Sequence, residues 1–244
     1  MPPVRAEYRP NALEVERLGV RLGRHQILAE ITFTVPEGDT LAIIGPNGSG
    51  KTVLFRALLG TLPHTGTIRW KAGTRIGYVP QKLDLERDLP VTGLDFLRAR
   101  ARLAGAEKGE INRILGLIGL DAGLVGQPIG TLSGGQFQKV LLGFALVAHP
   151  TVLLCDEPTA GVDQPGEERL YATLRRLQEE ERFTLLLISH ELSLIYRYAT
   201  AVLCLSLTHG ACAGPPLEAL TPERLQQLYG VPMQFHRHDD PVAR

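Results

Sequence analysis

Gly45, Pro46, Asn47, Gly48, Ser49, Gly50, Lys51 and Thr52 form the run GPNGSGKT, which fits a phosphate-binding loop in full. Glycines let the backbone curl until several N–H groups face one anion. A helix starting near Lys51 adds its positive dipole end at the same point. Lys51 then supplies a point charge for the β- and γ-phosphates, and Thr52 a hydroxyl for Mg²⁺. The bland use of such a run is a glycine-rich turn before a helix. The apolar segment before it and the complete residue set favour the phosphate reading.

A second constellation lies at 152–157, Val-Leu-Leu-Cys-Asp-Glu. Two carboxylates at the end of a buried strand need a cation or polar partner. Asp156 is the candidate for holding Mg²⁺, directly or through water. Glu157 points elsewhere and can take a proton from an attacking water. Cys155, flanked by Leu154 and Asp156, reads as a small buried apolar side chain rather than a metal or redox group. A third run, LSGGQ at 132–136, places the Ser133 hydroxyl and the pliable backbone of Gly134 and Gly135 at the head of a helix. That arrangement can meet an anion, or it can be plain helix capping.

These residues need elements to hold them. Segments 12–20, 31–35, 40–44, 67–71, 75–79, 151–156, 184–189 and 201–207 read as strands, with turns at 23–26 and 36–39. Helical spacing marks 52–62, 94–104, 111–120, 134–148, 165–182, 191–198 and, starting at Thr221-Pro222, a last helix to 229. Residues 1–10 read as a loose tail. Strands alternating with helices predict an α/β fold, a mostly parallel sheet covered on both faces. Between about 90 and 130 no strand-like alternation occurs, which predicts a helical subdomain inserted in the core.

Lys plus Arg number 26, as do Asp plus Glu, for a net charge of zero. No basic stripe stands out, so nucleic acid is a poor candidate partner. The longest unbroken apolar run, about 140–148, falls short of the roughly 20 residues a membrane span requires. The first residues lack the apolar stretch of a secretion signal. Cys155, Cys204 and Cys212 make no disulfide framework, which argues for a reducing cytoplasm.

Taken in order, the phosphate loop, LSGGQ and the strand ending in Asp156-Glu157 resemble the ATP-binding subunit of ABC transporters, from about residue 12 to 214. The resemblance implies a P-loop ABC ATPase core with a small antiparallel β region, at 12–81 and 140–214. A helical subdomain at 82–139 carries the signature motif, and a C-terminal helix and tail fill 215–244, all within one domain of 1–244. It implies ATP with Mg²⁺, sandwiched head to tail between two copies or two paired ATPase subunits. Ser133, Gly134, Gly135 and Gln136 of one copy would clamp the γ-phosphate held by the other. By the same resemblance Gln81 touches Mg²⁺ and the attacking water. His190 contacts the γ-phosphate and orients Glu157, and Asp163 lies in the loop coupling the two sites. Integral membrane permease subunits would dock near residues 81–97 and hold the ATPase at the cytoplasmic face of the cell membrane.

One position departs from the pattern. The family usually carries an aromatic side chain that stacks on adenine, and Leu22 stands there instead. Leu22 can pack on the base without the π-stacking contribution; Tyr8 is too remote to replace it. The wording of 75–82, 89–92 and 157–163 resembles the zinc and manganese importer branch, which implies an extracytoplasmic metal-binding protein as an indirect partner. His236, His238, Asp239 and Asp240 form a short tail that is either a weak Zn²⁺ ligand set or a solvated terminus. Cys204, His209 and Cys212 fall on a strand and turn, where strand packing accounts for both cysteines. Transport of another cargo remains an alternative. So does a soluble role in DNA repair or translation, although such proteins usually carry coiled-coil insertions or two cassettes.

Overall fold

The computed structural model describes residues 9–81, 90–159, 164–206 and 211–231. Strands β1 (Asn11–Leu22) and β2 (His25–Pro36) form a long hairpin, and β3 (Thr40–Ile44) leads into helix α1 (Lys51–Leu58). Strands β4 (Thr65–Trp70) and β5 (Ile76–Val79) follow. Four helices come next: α2 (Gly93–Ala104), α3 (Glu110–Ile118), α4 (Ala122–Val125) and, after a 3₁₀ turn at Ile129–Thr131, α5 (Gly134–Leu146). The chain continues through β6 (Val152–Asp156), α6 (Gln164–Glu181), β7 (Thr184–Ile188), α7 (Leu192–Tyr198) and β8 (Ala201–Leu205). The last elements among the described residues are β9 (Ala211–Gly214), α8 (Pro216–Ala219) and α9 (Pro222–Tyr229).

Two sheets result. The larger has the order β5-β6-β7-β3-β8-β9, parallel throughout except for β9, which runs antiparallel to β8. The smaller is antiparallel, in the order β2-β1-β4. Every residue of β3, β6 and β7 is buried, as expected of parallel strands covered on both faces. Alternation then sorts their side chains. Leu153, Cys155, Leu185 and Leu187 join α2, α3, α5 and α6 on one face. Val152, Leu154, Leu186 and Ile188 join α1 and the antiparallel sheet on the other. A third cluster packs Ala42, Ile44, Val202 and Cys204 against α7, α8 and α9.

Several bounds differ from the sequence reading for local reasons. The segment 23–26 is half strand: a two-residue turn suffices for the hairpin, so His25 pairs with Leu22 and Gln26 with Arg21. Helix α1 stops at Leu58 rather than 62. Gly60 takes a left-handed φ of 70°, and the Thr61 N–H closes back on the Arg56 carbonyl at 2.9 Å. Strand β9 and the short helices α4 and α8 were not foreseen, being four residues each, too short for periodicity to register.

Helices α2 to α5 pack on one another and share their apolar cluster with the large sheet. A polar anchor adds to this. Arg113 on α3 binds Glu110 at 2.7 Å and also Glu181 at the end of α6. His149 lies 3.3 Å from Glu110, and Arg176 on α6 donates to the Leu117 carbonyl. The hydrogen bond from Arg113 holds the Glu110 carboxyl below its usual range. No helix among the described residues is long and apolar enough to cross a membrane.

Candidate active site

The parallel strands β3, β6 and β7 lie side by side, so their carboxyl ends deliver three loops to one edge. Ligand sites of open α/β sheets lie at that edge. After β3 the chain turns through Gly45, Pro46, Asn47, Gly48, Ser49 and Gly50 into α1. Gly45 permits a close approach: a Cβ there would stand 2.3 Å from the Leu205 carbonyl oxygen. Gly50 has φ 94°, and a Cβ would meet Leu28 at 2.8 Å. No side chain caps α1, so the first amides of the helix are left for a ligand. The Ser49 hydroxyl is buried with no protein partner.

Lys51 is 6% exposed. Its Nζ donates to the carbonyls of Gly45 at 2.9 Å and Pro46 at 3.2 Å, which leaves one of its three protons for an anion. Burial lowers its pKa, partly offset by the nearby Glu157 and Asp156 carboxylates. Asp156, at the end of β6, is 1% exposed. It accepts a hydrogen bond from the Thr52 hydroxyl at 3.4 Å. Burial raises its pKa above the ordinary carboxylate value, with the neighbouring Glu157 charge adding to the effect. A buried carboxylate in that state favours a cation. Thr52, Asp156 and the amide carbonyl of Gln81 offer the hard oxygen donors that Mg²⁺ prefers. Tyr78, which sequence reasoning passed over, faces Asp156 from β5; burial pushes its hydroxyl up to about 12.

Glu157 is gripped on both carboxylate oxygens. Gln81 Nε2 donates to Oε2 at 2.5 Å, and His190 Nε2 lies 2.8 Å from Oε1. The three candidate catalytic residues, far apart in sequence, thus meet at one carboxylate. The Glu157 backbone has φ 45°, a left-handed conformation costly for a residue with a Cβ. Its amide is tied to the Ile188 carbonyl at 3.1 Å. Ser189, just before His190, is hydrogen-bonded to the Tyr171 hydroxyl and accepts from the Glu191 amide at 3.1 Å, which fixes the turn carrying the histidine.

Ser133 caps α5. Its hydroxyl accepts from the Gln136 amide at 3.3 Å, and the Ser133 amide donates to Gln136 Oε1 at 2.8 Å. The capping reading therefore holds, and it leaves the hydroxyl proton free to donate elsewhere. A Cβ on Gly134 or Gly135 would meet nothing within 4 Å. Ser133, Gly135 and Gln136 face a cleft shared with Gly119, Lys139 and Arg169. No phosphate-loop residue lines that cleft, so within one chain the two anion-type motifs open onto different spaces. Leu22 ends β1 and is 41% exposed, on the hairpin whose Ile27 and Leu28 touch Gly50. Asp163, His209, His236, His238 and Tyr8 lie outside the described residues, as does the whole segment 82–89. Among the described residues no three His, Cys, Asp or Glu side chains form a metal-holding group.

Comparison with known proteins adds a family. The ABC transporter family profile matches residues 28–160. The chain is 38% identical over 219 residues to the zinc import ATP-binding protein ZnuC of Cereibacter sphaeroides, covering 89% of this chain and 88% of that one. It is 36% identical over 233 residues to the ZnuC protein of Pseudomonas putida, covering 93% and 89%. Among solved structures, a metal-chelate type ABC transporter in an inward-facing conformation superposes with a TM-score of 0.82, at 26% identity, over 91% of this chain and 90% of that one. The ATP-binding cassette MJ1267 shares the fold, with a TM-score of 0.77 at 22% identity over 90% and 99%.

Proposed function

Because the chain belongs to the ABC transporter ATP-binding family, we propose that it is the ATP-hydrolysing motor of a zinc import system. The observation that carries the hydrolytic reading is the double grip on Glu157. A carboxylate held by an amide on one oxygen and an imidazole on the other is oriented to accept a proton from water. The phosphate loop from Gly45 to Thr52 binds the triphosphate through backbone amides, Lys51 and the helix end. His190 keeps Glu157 aimed and meets the γ-phosphate. Mg²⁺, held by Thr52, Asp156 and Gln81, would neutralise charge on the β- and γ-phosphates.

The pocket is completed by a second copy or a paired ATPase subunit. Ser133, Gly135 and Gln136 face a cleft that no residue of their own phosphate loop lines; with Gly134 they are read as serving another copy. They are suited to the γ-phosphate of a partner, which the free Ser133 proton and the open glycine backbone would contact. Leu22 packs on the adenine, and Asp163 couples the two sites. Closure follows from differential contact: the γ-phosphate attracts both halves, and hydrolysis removes that attraction. Helices α2 to α5 form the arm that passes the motion to membrane-embedded permease subunits, with the ATPase held peripherally at the cytoplasmic face. An extracytoplasmic metal-binding protein would deliver the cargo.

Zinc is favoured over manganese because the relatives at 36–38% identity are zinc import proteins. The test is growth of a deletion strain under chelation. Rescue by added zinc alone supports the reading. Rescue by manganese alone, or no defect, refutes the cargo assignment while leaving the ATPase assignment to be checked by Mg²⁺-dependent phosphate release.

A further inference from the structure

Strand β9 brings Cys212 directly opposite Cys204 of β8. Directly paired antiparallel residues have Cα atoms about 4.5–5.5 Å apart, inside the range a disulfide spans. The two side chains are within hydrogen-bonding contact. Cys204 is buried, and Cys212 is exposed to solvent. The third cysteine, Cys155, is fully buried in β6 and takes no part.

The pair sits beside the phosphate loop. Cys204 lies in register with Ile44, the residue before Gly45. The next residue, Leu205, presses its carbonyl on Gly45. Helix α9 joins the same patch: Arg224 faces both cysteines, and the Tyr229 hydroxyl reaches the backbone of Gly45. We propose that Cys204 and Cys212 are a peroxide-oxidised thiol pair whose disulfide weakens nucleotide binding at the adjacent phosphate loop.

The chemistry follows from who holds the proton. The hydrogen bond between the two thiols lowers the Cys212 pKa and raises that of Cys204. Cys212 is the sulfur that solvent reaches, so it is the one that reacts, as its thiolate. Its sulfur attacks hydrogen peroxide and breaks the O–O bond. The departing hydroxide takes a proton and leaves as water, and Cys212 becomes a sulfenic acid. The Cys204 sulfur then attacks that sulfur, an S–S bond forms, and the S–O bond breaks. The second water carries away the Cys204 proton. Two electrons pass from the two thiols to one peroxide. The product has no thiolate for Arg224 to face and ties β9 covalently to the strand whose end packs on Gly45.

The inference rests on the nucleotide reading of the loop, so the test separates the two. The full chain is treated with hydrogen peroxide, then examined by peptide mass and by binding of a fluorescent ATP analogue before and after reduction. The expected result is a 204–212 cross-link within one chain, unmodified Cys155, and affinity lower by on the order of fivefold, restored by dithiothreitol. Cys212→Ser should bind nucleotide like the reduced chain and ignore peroxide. Cys204→Ser should stop at a dimedone-reactive sulfenic acid on residue 212. A cross-link between chains, over-oxidised Cys212 in place of a disulfide, or equal affinity in both redox states overturns the inference alone. Failure of the reduced chain to bind nucleotide would sink the reading of the loop and the coupling with it.

Discussion

Glu157→Gln isolates the proposed proton-accepting role because the amide keeps the geometry. Gln at 157 has one oxygen to accept from Gln81 and one NH₂ to donate to the His190 ring nitrogen, so neither contact at 2.5 or 2.8 Å need be lost. Only the charge and the basicity disappear. Replacing a charge-assisted bond by a neutral one costs about 1 kcal/mol each, and removing a nearby negative charge favours the triphosphate. Folding stability should fall by no more than about 2 kcal/mol, and ATP affinity should hold or rise. Positioned general bases contribute ~10²–10⁴-fold, which is about 2.7–5.4 kcal/mol of barrier. Phosphate release by the purified protein with its permease should drop by that factor, with an ATP-bound dimer accumulating on size exclusion. Turnover within tenfold of the parent would refute the base assignment. So would loss of nucleotide binding in parallel with turnover, which would mean that Glu157 acts in the ground state.

Asp156→Asn should abolish Mg²⁺-dependent hydrolysis yet raise the melting temperature of the nucleotide-free protein. The folded pKa of Asp156 is raised, so its stabilising contribution is present below the unfolded value near 3.9 and lost as pH climbs through the folded one. The gain from Asn should thus be seen at neutral pH and vanish in acid melts; an unchanged neutral melt argues against it. Ser133→Asp keeps a good helix cap but removes the hydroxyl donor and repels phosphate. It should melt within about 1 kcal/mol of the parent while ATP-driven dimerisation is lost, and intact dimerisation would leave Ser133 as a cap only. Leu22→Tyr should tighten ATP binding by about two- to tenfold, the worth of an aromatic stack, with no change if the base lies elsewhere.

The candidate site was legible in the sequence where its residues fall in short contiguous runs. Lys51 and Thr52, and Asp156 with Glu157, are positioned by the strand and turn that immediately hold them. The union of Gln81, Glu157 and His190 became legible only through the family resemblance, since their sequence separations are large. Tyr78 had no signal beyond its neighbour Gln81, because its approach to Asp156 depends on β5 lying beside β6. Strand β9 escaped because Ala-Cys-Ala-Gly has neither β-branched residues nor alternation. The pairing of Cys204 with Cys212 therefore awaited the sheet register. The anchor of Arg113, Glu110, Glu181 and His149 joins residues up to 71 positions apart and leaves no pattern in the chain.

That anchor has a mechanical corollary. It fastens the helical arm to the far end of α6 with a multiply bonded guanidinium, while at the base of the arm, near the nucleotide loops, Gln81 donates to Glu157. One hydrogen bond to a carboxylate is worth about 1.5–3 kcal/mol, a sum that a γ-phosphate can outbid. A beam bolted at one end and latched at the other swings at the latch, so rocking of the arm is expected to pivot near Arg113 and to open at residue 81.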